Sequence, residues 1–156
     1  MFIFSKGKPK TFNLIKIDCI HAGRNNPMGT FRHTGEETQK SHTPKNVSKN
    51  KIKGNIWFYQ IGNNKTTKDK IAFKHPAIFP DQLVLDHIIT WSNEDDIILD
   101  SMCGSGTVAK MAFLNNRKFI GIDTSEEYIN EICIPRLEMH GWINENLIDN
   151  CNSNNH

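Results

Sequence analysis

Apolar positions are scattered through the first half of the chain and become regularly spaced only after Ile71. Two short extended segments, Phe2 to Phe4 and Asn13 to Ile20, flank a turn with Gly7 and Pro9 and the triplet Lys6, Lys8 and Lys10. This pattern predicts a hairpin or two successive strands. From His21 to Lys53 apolar residues nearly vanish in favour of Gly, Asn, Thr, Ser, His and Lys. Such a stretch buries too little surface to offset its ordering entropy, so it predicts a long loop, mobile unless a partner orders it. Strand-like aromatic and β-branched composition returns at Asn55 to Ile61, ahead of a polar connector over Gly62 to Lys70.

Beyond Ile71 the spacing predicts closely packed α/β units. Pro80 precedes a helix over Asp81 to Trp91, in which Val84, Ile88 and Trp91 share one face. An acidic turn, Ser92 to Asp96, leads into a short buried strand, Ile97 to Leu99, that ends at Asp100. A glycine loop follows, then a helix to about Asn115 with Val108, Met111 and Ala112 inward, then a strand from Phe119 to Ile122 ending at Asp123. Thr124 and Glu127 have the spacing of a capping box and open a third helix through Tyr128, Ile129 and Ile132, which Pro135 should kink or end. The Asn-rich tail after Trp142 reads as frayed, and no internal repeat is present.

Composition narrows the class. With 156 residues and 37% apolar content, the chain can build one modest core but not two. No run approaches the roughly 18 apolar residues of a membrane span. The N-terminus lacks the basic start and cleavage site of a secretory signal, which places the chain in the cytoplasm with no membrane partner. Cys19, Cys103, Cys133 and Cys151 form no C-x-x-C pair and read as free thiols. The net charge of +2 conceals two opposed portions: residues 1–74 hold 15 Lys or Arg against 4 Asp or Glu, and residues 75–156 hold 4 against 13. The chain therefore divides into a basic arm (1–74), an α/β portion (75–141) and a frayed tail (142–156). A basic arm suits a polyanion, because Lys and Arg gain affinity by releasing phosphate counterions; a solvated basic loop is the alternative. His21, His33 and His42 are spaced unlike metal ligands. Trp57, Phe58 and Tyr59 could stack on bases, although consecutive aromatics in a strand more often divide between two sheet faces.

The chemistry concentrates in Asp100, Ser101, Met102, Cys103, Gly104, Ser105, Gly106 and Thr107, a strand end, a two-glycine turn and a helix start. Gly104 and Gly106 let the backbone turn tightly and approach a ligand, while the helix start offers free N–H groups. Gly104 to Ala109 also fits the G-x-G-x-x-G/A fingerprint, which alone is a weak signal. Asp123 lies 17 residues past Gly106, where a carboxylate can accept both hydroxyls of a ribose. Asp100, at the first strand end, would repel a pyrophosphate and suits an ammonium or a sulfonium. S-adenosylmethionine carries both, with one ribose and no phosphate. An NAD-linked oxidoreductase is the rival enzyme class, which Asp100 argues against. The plainest alternative is that Asp100 and Asp123 merely cap helices.

With these residues in view, the chain resembles the amino-methylating DNA methyltransferases that modify adenine N6 or cytosine N4. The resemblance rests on Lys74-His75-Pro76-Ala77-Ile78-Phe79-Pro80, the Asp81 to Trp91 helix and the Leu99 to Thr107 loop, in that order, as in the permuted class with C-terminal cofactor motifs. Gly121-Ile122-Asp123 and Glu126-Glu127-Tyr128 resemble the next strand and helix, and Met1 to Ile15 and Gly54 to Gly62 the family's middle portion. The resemblance implies a partial Rossmann-like methyltransferase sheet with a basic, mostly irregular N-terminal arm. It implies an S-adenosylmethionine site formed by Phe79, Asp100, Cys103, Gly104, Ser105, Gly106, Thr107 and Asp123, and double-stranded DNA as partner. The family's usual Asp-Pro-Phe ahead of the glycines is Asp100-Ser101-Met102 here, which loses a rigid proline and an aromatic wall, and Asp123 stands where Glu is also common.

The family grips the target amine with Asp/Ser/Asn-Pro-Pro-aromatic, and no two of the prolines here are adjacent. No catalytic residue is therefore assigned. The resemblance implies a C-terminal portion, beginning after that tetrapeptide, of a longer site-specific enzyme: a split gene product, a truncation or a separate subunit, inactive without an N-terminal half that carries the motif. A remnant that binds cofactor or DNA without chemistry is the non-enzymatic alternative.

Overall fold

The computed structural model describes residues 4–26, 31–34, 37–40 and 45–143. It is a mixed α/β structure that divides into two units, residues 14–57 and the remainder.

In the 14–57 unit, three antiparallel pairs nest inside one another. Strand β1 (Lys16–Asp18) pairs with β6 (Asn50–Ile52), β2 (Asn25–Asn26) with β5 (Lys45–Asn46), and β3 (Phe31–Thr34) with β4 (Glu37–Lys40). The expected long loop from His21 to Lys53 is thus corrected to a ladder over its described residues. Backbone hydrogen bonds hold it, including Gly23 N–H to the Val47 carbonyl (3.0 Å) and Val47 N–H to the Arg24 carbonyl (2.9 Å). An apolar core has little part: β1 and β6 are exposed throughout. The expected strand at Asn55 to Ile61 does not form. The first extended segment lies, except for Phe4, outside the described residues, as does the tail after residue 143.

The second unit follows its sequence pattern in the order of its elements, but the strand expected to be buried, Ile97 to Leu99, leaves Ile97 and Leu99 each 63% exposed because only one face of the sheet is covered. Helix α1 (Asp81–Trp91) buries Val84 and Ile88, and Trp91 packs on Phe12 with ring centroids 5.0 Å apart. The N-terminal segment is tied here: Asn13 N–H donates to the Thr90 carbonyl (2.8 Å) and its Nδ2 to the carbonyls of Ile89 and Ser92, satisfying groups a helix end leaves without partners. Strands β7 (Ile97–Asp100) and β8 (Lys118–Gly121) are parallel and in register at Ile98 and Phe119, joined through helix α2 (Thr107–Leu114). Ala112 of α2 packs with Val84 and Ile88, and Ala109 packs with Cys103, Cys133 and Leu137, so the helix serves two core clusters.

The third helix departs from expectation in two ways. The Thr124/Glu127 capping box is replaced by Ser125, whose Oγ accepts the Tyr128 N–H (3.3 Å). Pro135 neither ends the helix nor stands in a plain α turn. Residues Tyr128–Cys133 form a widened π turn, Ile134 N–H reaches back to the Ile129 carbonyl, and α3 (Ile134–Glu138) continues with Pro135 in its first turn. The extra residue per turn relieves the clash a proline ring makes with the preceding turn.

The two-stranded sheet is covered on one face only. Ile98 and Phe119 enter the core, while Ile97, Leu99, Ile120 and Ile122 on the opposite side are all at least half exposed. Parallel strands are ordinarily covered on both faces. Among the described residues no helix is long and apolar enough to cross a membrane.

Candidate functional site

The loop between β7 and α2 is held from three sides. From β8, the Ile122 N–H donates to the Asp100 carbonyl (2.9 Å) and the Cys103 N–H to the Ile122 carbonyl (2.9 Å), so the loop's first residues extend the parallel ladder. From below, Gly106 adopts φ +72° and packs so closely on Cys133 that a Cβ there would lie 2.5 Å from its Sγ. From the side, the His75 ring covers Gly104, φ +46°, where a Cβ would meet Nε2 at 2.8 Å. Both glycines are therefore required by backbone conformation and by contact.

Asp123 completes the arrangement. Its Oδ2 accepts the Gly104 N–H (2.8 Å) and its Oδ1 the Ser125 N–H (3.0 Å). The N–H groups of Ser125 and Gly104 lower its carboxyl below the ordinary value, so it stands ionised at the loop. Each oxygen retains a lone pair for a further donor. Asp100 Oδ1 accepts the Met102 N–H (3.2 Å), a local turn within the loop, and α2 has Gly106 at its N-cap position with no side-chain cap. The structure thus brings Asp100, Cys103, Gly104, Gly106 and Asp123 together, with His75 as a neighbour that fixes the His-Pro element against the loop. His75 is held in turn by the Ala77 backbone at Nδ1 and by the edge of Tyr128, centroids 4.5 Å apart. Phe79, four residues further on, is 43% exposed.

Three side chains of the expected set, Cys103, Ser105 and Thr107, are buried in the core behind the loop. Cys103 is buried, and burial, followed by the charges of Asp123 and Asp100, pushes its thiol pKa up; burial raises Cys133 to about 12. Both are packing thiols, not nucleophiles. Ser105 and Thr107 are buried and turn toward Arg136, the centre of a charged cluster that sequence reasoning missed. Arg136 is 1% exposed and donates to Asp69 (2.7 Å), Asp81 (3.0 Å), Thr67 (3.0 Å), Thr107 (2.9 Å) and the Ser105 carbonyl (3.0 Å). Lys110, 2% exposed, joins Asp69 (2.7 Å) and Asp81 (2.5 Å). Burial alone would raise Asp69, but hydrogen bonds from Lys110 and Arg136 and their charges outweigh it and hold the carboxyl well below the usual range. The signal was faint: residues 75–156 contain only four basic residues, and two of them are this buried pair.

Residues 1–133 match the N6/N4 family described as DNA methylase. The chain belongs to that family of S-adenosylmethionine-dependent DNA methyltransferases. It is 49% identical over 140 residues to the orphan methyltransferase M.BamHII of Bacillus amyloliquefaciens, an alignment covering 88% of this chain and 52% of that protein. It is 33% identical over 100 residues to the DNA adenine methyltransferase YhdJ of Escherichia coli K12, covering 64% of this chain and 33% of the relative. Type II methyltransferase M.BamHI of B. amyloliquefaciens is 32% identical over 129 residues, with 79% and 27% covered. The chain thus spans about half the length of M.BamHII and less of the others. Among solved structures, the cytosine-N4-specific PvuII DNA methyltransferase is 26% identical, with 51% of this chain and 34% of that chain covered and a TM-score of 0.40.

Proposed function

We propose that this chain is the cofactor-binding portion of a site-specific DNA methyltransferase that transfers a methyl group from S-adenosylmethionine to adenine N6 or cytosine N4. The observation that carries the reading is the ionised Asp123 carboxylate fixed beside Gly104, with a second carboxylate, Asp100, at the other end of the loop. The donor set fits this cofactor. Two carboxylates flank the loop, and Lys110 and Arg136 are buried and paired with Asp69 and Asp81, so the arrangement suits a cationic ligand and not a pyrophosphate. Bound there, S-adenosylmethionine supplies an electrophilic methyl group on its sulfonium. Asp123 would accept the ribose hydroxyls, Asp100 would face the ammonium, and Phe79 would stand near the methionine end. The β7–β8 strands and their helices would be part of a Rossmann-like sheet. Cytoplasmic DNA is the proposed substrate, and residues 1–74 its basic contact.

The chain alone lacks the Pro-Pro-aromatic group that would hold the amine, and its sheet is bare on one face. Both observations support a second portion, supplied by the same polypeptide or a separate one, that carries the motif and covers Ile97, Leu99, Ile120 and Ile122. Orientation of reacting atoms supplies on the order of 7 to 11 kcal/mol in favourable cases, so without that portion transfer should be nearly silent. The test is radiolabelled methyl transfer to mixed duplex DNA by the chain alone and with a separately expressed N-terminal half bearing Asp-Pro-Pro-Tyr. Transfer only in the mixture is expected. Robust transfer by the chain alone would refute the division of labour, and silence of an associated mixture would favour a remnant that binds without chemistry.

A further inference from the structure

The Ser105–Gly106 peptide is held at both ends. Its carbonyl accepts from Arg136 Nη1 (3.0 Å), and its N–H donates to the Cys103 carbonyl (2.7 Å). The same Nη1 reaches Thr107 Oγ1 (2.9 Å), so one nitrogen spans the left-handed Gly106 from both sides. The other guanidinium nitrogens bind Thr67, Asp69 and Asp81, residues of the segment that also carries His75 and Phe79. Arg136 comes from α3, Lys110 from α2, and the carboxylates lie 29 to 67 residues away in sequence. The two buried cations are matched by two carboxylates, with the partly exposed His140 Nε2 also 3.1 Å from Asp69 Oδ1, and such pairing is the condition under which buried charges persist. An aliphatic core would serve packing equally well, but it could not orient a peptide carbonyl.

We propose that Arg136 is a positioning residue for the cofactor loop. Its planar fork sets the orientation of the Ser105–Gly106 peptide and, through Asp69 and Asp81, fixes the His75–Phe79 element against that loop. This rests on the reading of the loop as the S-adenosylmethionine site. Lysine cannot substitute, because a single ammonium cannot span loop, hydroxyls and two carboxylates together. The Lys110 ammonium completes the charge balance by donating to Thr67, Asp69 and Asp81.

The test uses the full chain and two readouts: hydrogen exchange at individual amides, and calorimetric titration with S-adenosylmethionine. Arg136→Lys keeps a charge beside Asp69 and Asp81 and removes the fork. It should accelerate exchange at Gly104 and Gly106 at least tenfold, leave the Ile122 amide of the β7–β8 ladder unchanged, and weaken cofactor binding at least tenfold. Thr67→Val, which removes a partner of the same guanidinium away from the loop, should lower the melting temperature and leave loop exchange and affinity unchanged. A purely structural role predicts that Arg136→Lys behaves like Thr67→Val, and that result overturns the proposal. If Arg136→Lys does not fold, Thr107→Val decides, since it removes a loop acceptor and no charge. Loop-specific acceleration then supports the proposal, and uniform exchange overturns it. Failure of the unaltered chain to bind S-adenosylmethionine would instead remove the cofactor reading, while the exchange comparison would still judge the positioning.

Discussion

In the α/β unit, Lys110 and Arg136 are nearly inaccessible and each is matched by carboxylates, whereas in the 14–57 unit Lys16, Arg24, Lys49 and Lys51 are exposed, as are strands β1 and β6 throughout. The same residue types serve opposite ends. Inside, the guanidinium and ammonium are spent on geometry, setting a loop and joining segments far apart in sequence. Outside, they leave a field available to a polyanion. Residues 14–57 hold eight Lys or Arg against three acidic residues. The whole-chain charge of +2 therefore describes neither unit.

The largest effect is expected at the exposed cations of the arm. If its cations contact phosphates, DNA binding should fall on the order of 100-fold between about 50 and 200 mM salt, since each phosphate neutralised releases counterions. Lys16, Lys49 and Lys51 changed together to Gln should weaken binding to all sequences alike and flatten the salt slope, with S-adenosylmethionine affinity unaltered. Filter binding across a salt series reads this out. Salt-insensitive binding, or a change confined to one sequence, would contradict the assignment.

The buried charges predict a pH effect of definite sign. Asp69 is held below its unfolded value, so it contributes stability above the unfolded carboxylate range, near pH 4, and that contribution is lost as pH falls toward the lower folded value. Unfolding of the chain should be insensitive to Asp69→Asn substitution only in strong acid and most sensitive near neutrality. Denaturant titrations of both chains at several pH values check it. An equal difference at all pH values would mean that the carboxylate charge is irrelevant there.

How much of this was legible follows from where each signal sits. Helix α1, the two parallel strands, the glycine turn and its flanking acids were readable because each is a local pattern: periodic Val84 and Ile88, a run of Ile97 to Leu99, glycines at fixed spacing. The ladder of residues 14–57 was not, because backbone pairing between polar strands leaves no alternation to detect. The aromatic run from 55 to 61 misled in the other direction. Tyr59 hydroxyl donates to Asp86 Oδ2 (2.8 Å) instead of lining a sheet. The Arg136 cluster was invisible because its partners are up to 69 residues apart, and only a fold brings Thr67, Asp69 and Asp81 to one guanidinium. The sequence leaves Pro135 either kinking or ending the helix, because the π widening that accommodates it depends on the packing around it.

Whether Asp123 and the glycine turn hold S-adenosylmethionine is decided by calorimetric titration of the full chain beside its Asp123→Ala variant. The account predicts measurable binding by the unaltered chain and a loss of roughly 1 to 3 kcal/mol in the folded variant, the scale of hydrogen bonds to a charged group. Equal affinity in the two folded proteins, or no binding by either, would contradict it.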